Sequence, residues 1–281
     1  MTREARDTRG ARGAWDAYAA AAAAARVEVR ELTHLAELEQ ATQVLARIWG
    51  VPGNPPLSTE LLRALGKAES YVAGAYDRHD DREDDERGAA PMVGVCVGFH
   101  HAPATRSMHS HIAGVTAAVA GRHAGFALKL HQRAWCLDHG IESMEWTYDP
   151  LVARNAYFNL AKLGATVAEY LPDFYGPMAD GINASDESDR LLVRWALASP
   201  EVVAACAGRP RRAEVPPGAA ASWVAVPPDI EALRTDDPEQ ARGWRAKVRD
   251  QLTTALAAGA RVAGFDKERG YLVLPHEGDR R

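Results

Sequence analysis

Residues 107–140 constrain the chain more than any other stretch, because they read as a strand, a tight turn and a helix in immediate succession. Ser107 to Gly121 (SMHSHIAGVTAAVAG) is small and partly β-branched, as befits a strand lying flat in a sheet. Arg122-His123-Ala124-Gly125-Phe126-Ala127 follows, and then LKLHQRAWCLDHG. There Ala127, Leu130, Ala134 and Leu137 recur at helical steps and Gly140 supplies a stop. The first amides of a helix lack intrahelical partners and sit at the positive end of its dipole, so an anion is favoured there. Gly125 lets the backbone approach a phosphate closely, and Arg122 and His123 stand where they would add positive charge to the rim. A glycine in such a turn serves equally well as a plain tight connection.

The 281 residues are enough for one large domain or a domain with an appendage, and 47% hydrophobic content supports a substantial core. A net charge of -5 argues against a broad basic face for nucleic acid. Cys96, Cys136 and Cys206 lack metal-ligand spacing and read as reduced thiols of a cytoplasmic protein. Ala19 to Ala25 is too short and too weakly apolar to span a membrane, so residues 1–26 are expected to form a loosely attached helix or tail.

From Val27 the elements come in a readable order. Val27 to Leu32 alternates as a half-buried strand, and Thr33 is placed to cap a helix through Leu35, Leu38, Thr42, Leu45 and Ile48 or Trp49, ending at Gly50. Ser58-Thr59-Glu60 opens a second helix to about Lys67. Strands are expected at Tyr71 to Tyr76 and Met92 to Phe99. The acidic run Asp77 to Arg87 between them lacks the spacing of a calcium loop and reads as a solvated hairpin loop. Glu142 to Tyr148 alternates, Asp149-Pro150 ends it, and Val152, Ala156, Leu160 and Leu163 mark a helix stopping at Gly164. Val167 to Tyr170 and Asp189 to Leu197 supply a closing hairpin. Residues 198–218 read as a linker, and residues 219–281 as a strand-helix-hairpin module whose helix starts at Asp237-Pro238.

The motif Arg122-x-x-Gly125-x-Ala127 between strand and helix resembles the Arg/Gln-x-x-Gly-x-Gly/Ala signature of the GNAT superfamily of acyl-CoA-dependent N-acyltransferases. The segment Asn155 to Gly164, ending Lys162-Leu163-Gly164, is similar to that family's second signature, and the resemblance covers about residues 27–197. It implies an α/β fold with a mixed, mostly antiparallel sheet flanked by helices. It also implies acetyl-CoA or another acyl-CoA as cosubstrate, held by Arg122, His123, Ala124, Gly125, Phe126 and Ala127 at the pyrophosphate. Ala117 and Val119 would lie along the pantetheine, and Asn155 would reach it from the helix. No metal, nucleic-acid or membrane partner is expected.

The tyrosine that many family members use as general acid is replaced here by Leu160. Tyr157, one turn earlier, is the substitute candidate, with Tyr148 and Tyr175 as further options. His111 is the candidate base and Glu145 its rival, because an imidazole can take a proton near neutral pH. His109, Tyr148, Asp173 and Tyr175 are candidate acceptor contacts, with Asn183, Asp189 and Arg190 in the same long loop. The C-terminal module is similar to that of an extended, largely uncharacterised GNAT-related group. The resemblance thus implies transfer of an acetyl or succinyl group to a small amine, such as an amino acid. A GNAT-shaped accessory protein without transferase activity, or an enzyme of different chemistry, stands as the alternative. Pairing of two copies through the module's exposed apolar strand is also expected.

Overall fold

The computed structural model describes residues 3–49, 55–78, 90–176 and 186–276. The fold is mixed α/β, mostly antiparallel, with helices flanking the sheet, as expected. The chain divides into two compact units, Met1–Met144 and Glu145–Arg281.

In the first unit, helix α1 (Arg3–Ala25) precedes β1 (Val27–Glu31), α2 (Leu35–Trp49), α3 (Thr59–Lys67), β2 (Tyr71–Asp77), β3 (Met92–His100), β4 (Ser107–Val115) and α4 (Ala124–Asp138). The four strands pair antiparallel in sequence order. Leu38, Ala41, Val44 and Leu45 of α2 pack with Val72, Val95 and Val97 on one face of this sheet. The Ser58 hydroxyl caps α3 as predicted, accepting from the Leu61 amide at 3.3 Å. At α2 the cap differs: the Glu37 carboxylate, not Thr33, accepts from the amides of Thr33 and His34. A carboxylate in the first turn meets two orphan donors at once, which a threonine hydroxyl cannot. Gly50 and most of the acidic run lie outside the described residues.

Two expectations for this unit are corrected. The strand predicted to run to Gly121 ends at Val115, and Ala117–Val119 forms a single 3-10 turn. Helix α1 is docked rather than loosely attached. Its Trp15 indole donates to Asp138 at 2.5 Å, its Tyr18 hydroxyl bonds the Val29 backbone, and both rings meet His131 edge-on. His131 is thereby buried against α1, while Lys129 and Gln132 are turned to Ser110 of β4; with Arg133 they are all under 7% exposed.

The second unit holds β5 (Ser143–Tyr148, shared with the first at its start), α5 (Ala153–Ala156), β6 (Thr166–Leu171), β7 (Arg190–Ala196), α6 (Pro200–Cys206), β8 (Ser222–Val224), α7 (Ile230–Asp236), α8 (Pro238–Ala257), β9 (Arg261–Asp266) and β10 (Gly270–Leu274). Met144, Trp146 and Tyr148 are buried and their neighbours are not, as the alternation predicts. The strands order β5-β7-β6 and, separately, β8-β10-β9. The helix predicted from Val152 to Leu163 is a single α-turn followed by a π-helical turn over Tyr157–Lys162, closed by the Leu163 amide on the Phe158 carbonyl at 2.9 Å. Within the linker-like stretch, Ser199 caps α6 by accepting from the Val202 amide.

Four charges hold the C-terminal helices in place. Arg245 of α8 donates to Asp149 at 2.8 and 3.0 Å and to Asp186 at 2.8 Å, while Arg234 of α7 bonds the same two carboxylates. All four side chains are at most 8% exposed. The two arginines hold the Asp149 carboxyl down to about 2 against the opposing pull of burial.

Candidate functional site

The turn before α4 leads into the first amides of a 15-residue helix. His123 is in the left-handed region at φ 64, which swings the chain into the helix without a side-chain cap. The amides of Phe126 and Ala127 are taken by the His123 carbonyl, at 2.9 and 3.2 Å. Among the described residues, no acceptor faces the amides of Ala124 and Gly125. A β-carbon at Gly125 would meet nothing within 4 Å, so neither packing nor backbone strain explains the glycine. The Gly125 amide, at a half-buried position, is left for an anion, whereas Ala124 is 1% exposed and its amide is covered.

Arg122 departs from its expected role. Its guanidinium grips Asp77 at 2.8 and 3.0 Å and donates to the carbonyls of Ala25 and Arg26. That geometry clamps the turn onto the ends of α1 and β2, so the charge is spent within the fold rather than on the rim. Ala117 and Val119 depart too. They lie in the 3-10 turn, Ala117 exposed and Val119 buried, so neither offers a strand edge for pantetheine. Closer to β4, a β-carbon at Gly114 would lie 2.7 Å from the Trp49 ring, so helix packing accounts for that glycine.

Strand β4 has a bulge. Val97 pairs with Ile112 and Gly98 with Ser110, leaving His111 as the extra residue. The bulge reverses the alternation. Ser110 faces α4, where its hydroxyl donates to Gln132 at 2.9 Å and accepts from the Lys129 ammonium, whereas Ile112 packs with the α2 cluster. His109 and His111 come together beside Phe99, with ring centroids 5.2 and 5.6 Å from the phenyl and 6.1 Å from each other. His111 is exposed on the strand, and crowding by its neighbours moves its pKa only downward from the ordinary 6.5, so at neutral pH the ring is the unprotonated form a base must be.

The remaining candidates belong to the second unit, and most are occupied. Glu145 is held by Arg194 at 2.6 and 2.7 Å, a poor state for a general base. Tyr148 is buried, its hydroxyl 3.4 Å from that of Tyr271 and its pKa raised by burial, so it packs rather than meets an acceptor. Asp173, at φ 41, accepts from the amide and hydroxyl of Ser188 at 3.0 and 3.1 Å and so shapes its own loop. Tyr175 is 44% exposed, 3.1 Å from the Thr147 hydroxyl, with the Arg190 guanidinium over its ring. Tyr157 is half-buried beneath the Lys267 ammonium, 4.4 Å from its ring centroid. The Asn155 side chain has no partner among the described residues. Leu160 is 2% exposed. Asn183 lies outside the described residues, and Asp189 is bound by Tyr170 and Arg249.

Among the described residues, no group of three His, Cys, Asp or Glu side chains is placed to hold a metal ion, and no helix is long and apolar enough to cross a membrane. Sequence reasoning missed Phe99, whose exposed ring at the end of an apolar strand gave no periodic signal.

No protein-family model and no curated protein matches the sequence. Among solved structures, the chain is similar to the ribosomal-protein-S18-alanine N-acetyltransferase from Escherichia coli, with 12% identity and a TM-score of 0.46, over 62% of this chain and 95% of that one. It is similar to an N-acetyltransferase from Staphylococcus aureus Mu50, with 12% identity and a TM-score of 0.46, over 61% and 98%. It is also similar to an acetyltransferase of the GNAT family from Streptococcus pneumoniae, with 12% identity and a TM-score of 0.46, over 60% and 97%.

Proposed function

We propose that the chain is a GNAT-superfamily N-acyltransferase that moves an acetyl or succinyl group from coenzyme A to the amine of a small molecule, such as an amino acid. The observation that supports this best is the Gly125 amide at the start of α4, which has no backbone acceptor among the described residues, in a turn whose residues match the family's phosphate signature. The acyl-CoA supplies a thioester, whose carbonyl the amine attacks.

In this reading the Gly125 N–H and the positive end of α4 hold the diphosphate. Arg122 acts indirectly, by fixing the turn through Asp77. His111, neutral and unpaired in the β4 ladder, takes the proton of the attacking ammonium so that nitrogen enters as a free amine. The C–N bond forms as the C–S bond breaks, and the second proton shed by the nitrogen passes to the leaving thiolate.

The direct test is release of free thiol from acetyl- and succinyl-CoA across an amine panel, alongside calorimetric binding of coenzyme A. Micromolar binding with amine-dependent thiol release is expected; absence of coenzyme A binding sinks the proposal. A second reading follows from the buried Leu160 at the usual tyrosine position: a GNAT-shaped ligand-binding protein without transferase activity. It predicts binding without thiol release from any amine.

A further inference from the structure

We propose that Arg211 and Arg261, in the second unit, bind the phosphate group of a small phosphorylated molecule, with Lys162 and Lys267 adding positive charge beside them. This site does not rest on the acyltransferase reading and would stand without it.

Arg211 is placed by its backbone. Its amide donates to the Ala161 carbonyl on the π-helical turn at 2.9 Å. Two residues on, Ala213 packs against Ala263 and Leu272, and a β-carbon on Gly264 of β9 would come within 3.1 Å of its methyl. The segment is thus pinned at Arg211 and again just beyond it. The Arg211 side chain is half-buried, yet its guanidinium has no ion pair and no hydrogen-bond acceptor among the described residues. Its charged neighbour is Arg261, the first residue of β9, which likewise has no ion pair among the described residues. Burial, and after it the repulsion of Arg261, hold the Arg211 pKa below its ordinary value; the attraction of the exposed Glu201 is weaker than that repulsion. A second pair of cations continues the cluster. Lys162 stands one π-helical turn after Tyr157, and the Lys267 ammonium lies 4.4 Å from the Tyr157 ring centroid. Burial and then Lys267 lower the Lys162 pKa.

Four cations gathered in this way are not the background of a chain whose net charge is -5. On an open surface, two like-charged side chains rotate apart, and the half-burial of Arg211 removes that freedom. A bound anion turns the repulsion into attraction. Two guanidiniums present more N–H donors than the oxygens of one carboxylate accept, and a phosphate, with an extra oxygen and a second charge, matches them better.

Inorganic phosphate is the probe, titrated by calorimetry at low ionic strength with coenzyme A in excess to fill the turn before α4. The proteins are native, Arg211→Gln, Arg261→Gln and, as a control from the same segment, the exposed Arg212→Gln. Either site variant should weaken phosphate about 10-fold, and Arg212→Gln should leave it unchanged. Thermal unfolding separates binding from structure. Without phosphate, Arg211→Gln should be at least as stable as the native protein, because it removes a repulsion, and millimolar phosphate should raise the native Tm but not that of Arg211→Gln. Unchanged affinity in both site variants, an equal loss in Arg212→Gln, or an Arg211→Gln less stable without phosphate overturns the site. Citrate bound as tightly as phosphate overturns the phosphate class. Coenzyme A weakened by Arg211→Gln by the same factor as phosphate assigns the arginines to the cosubstrate and overturns a separate site. Phosphate binding lost in the site variants, in a protein that binds no coenzyme A, upholds this site while the acyltransferase reading falls.

Discussion

Replacing Asp149 by Asn should destabilise the second unit by about 3–5 kcal/mol at pH 7, the usual cost of orphaning one partner in a buried ion network. Asp149 takes two bonds from Arg245 and one from Arg234, and the amide would leave the two buried guanidiniums one carboxylate charge fewer, with Asp186 still bridging them. A second number checks the first. A carboxyl held at about 2 instead of 3.8 contributes ~2 kcal/mol by linkage, less than the cost of orphaning because linkage leaves out the stranded arginines. The sign follows from the lowered value: the contribution is complete above the unfolded pKa and is lost as pH falls from about 4 to about 2. Urea unfolding followed by far-ultraviolet circular dichroism, on both proteins from pH 7 to pH 2, should show a gap that is constant down to about pH 4 and then narrows. A gap under 1 kcal/mol at pH 7, or one that ignores acid, refutes the assignment of this network as the anchor of α7 and α8.

Gly125→Ala should raise unfolding stability by up to about 1 kcal/mol, since the position is helical and unobstructed. It should weaken coenzyme A binding at least 10-fold by calorimetry, a combination that a merely structural glycine would not give. His111→Ala should lower kcat/KM by about 100-fold and abolish the acid limb of the pH profile, whose midpoint in the native protein should lie below 6.5. Lys129, whose pKa burial depresses to about 8, has a folded value below its unfolded one, so its charge opposes folding at neutral pH and the penalty is relieved between about pH 8 and 10.5. Lys129→Met should therefore be more stable than the native protein at pH 7 by up to ~3 kcal/mol, with the advantage shrinking by pH 10 in parallel denaturation curves.

What the sequence disclosed was whatever has a period or a punctuation mark. The strand alternation at Met144, Trp146 and Tyr148, the Ser58 cap, Gly140 at φ 69 and the Asp237 cap on α8 are local devices, and local devices are written in neighbouring residues. The bulge at His111 is different. It depends on how β4 pairs with β3, and nothing in SMHSHIAGV announces that Ser110 and Ile112 face opposite ways. Arg122 and Asp173 were misassigned because their partners, Asp77 and Ser188, are distant in sequence. A charged residue in a glycine-bearing turn reads as a ligand contact until its own carboxylate is found. The π-turn over Tyr157–Lys162 escaped because a helical apolar stripe does not distinguish it from an α-turn.

Helix α1 gives α4 a second dry side, and that has a practical corollary for anyone trimming the protein. A version begun at Val27 would hand solvent the Tyr71–His131 pair, now 2.7 Å apart in the interior, together with a helix whose lysine and glutamine are already committed inward. Such a shortened chain should aggregate or bind apolar dyes, and it would also lose the Ala25 and Arg26 carbonyls that receive Arg122, so any fall in its coenzyme A affinity would combine a loosened turn with the missing N-terminal cover.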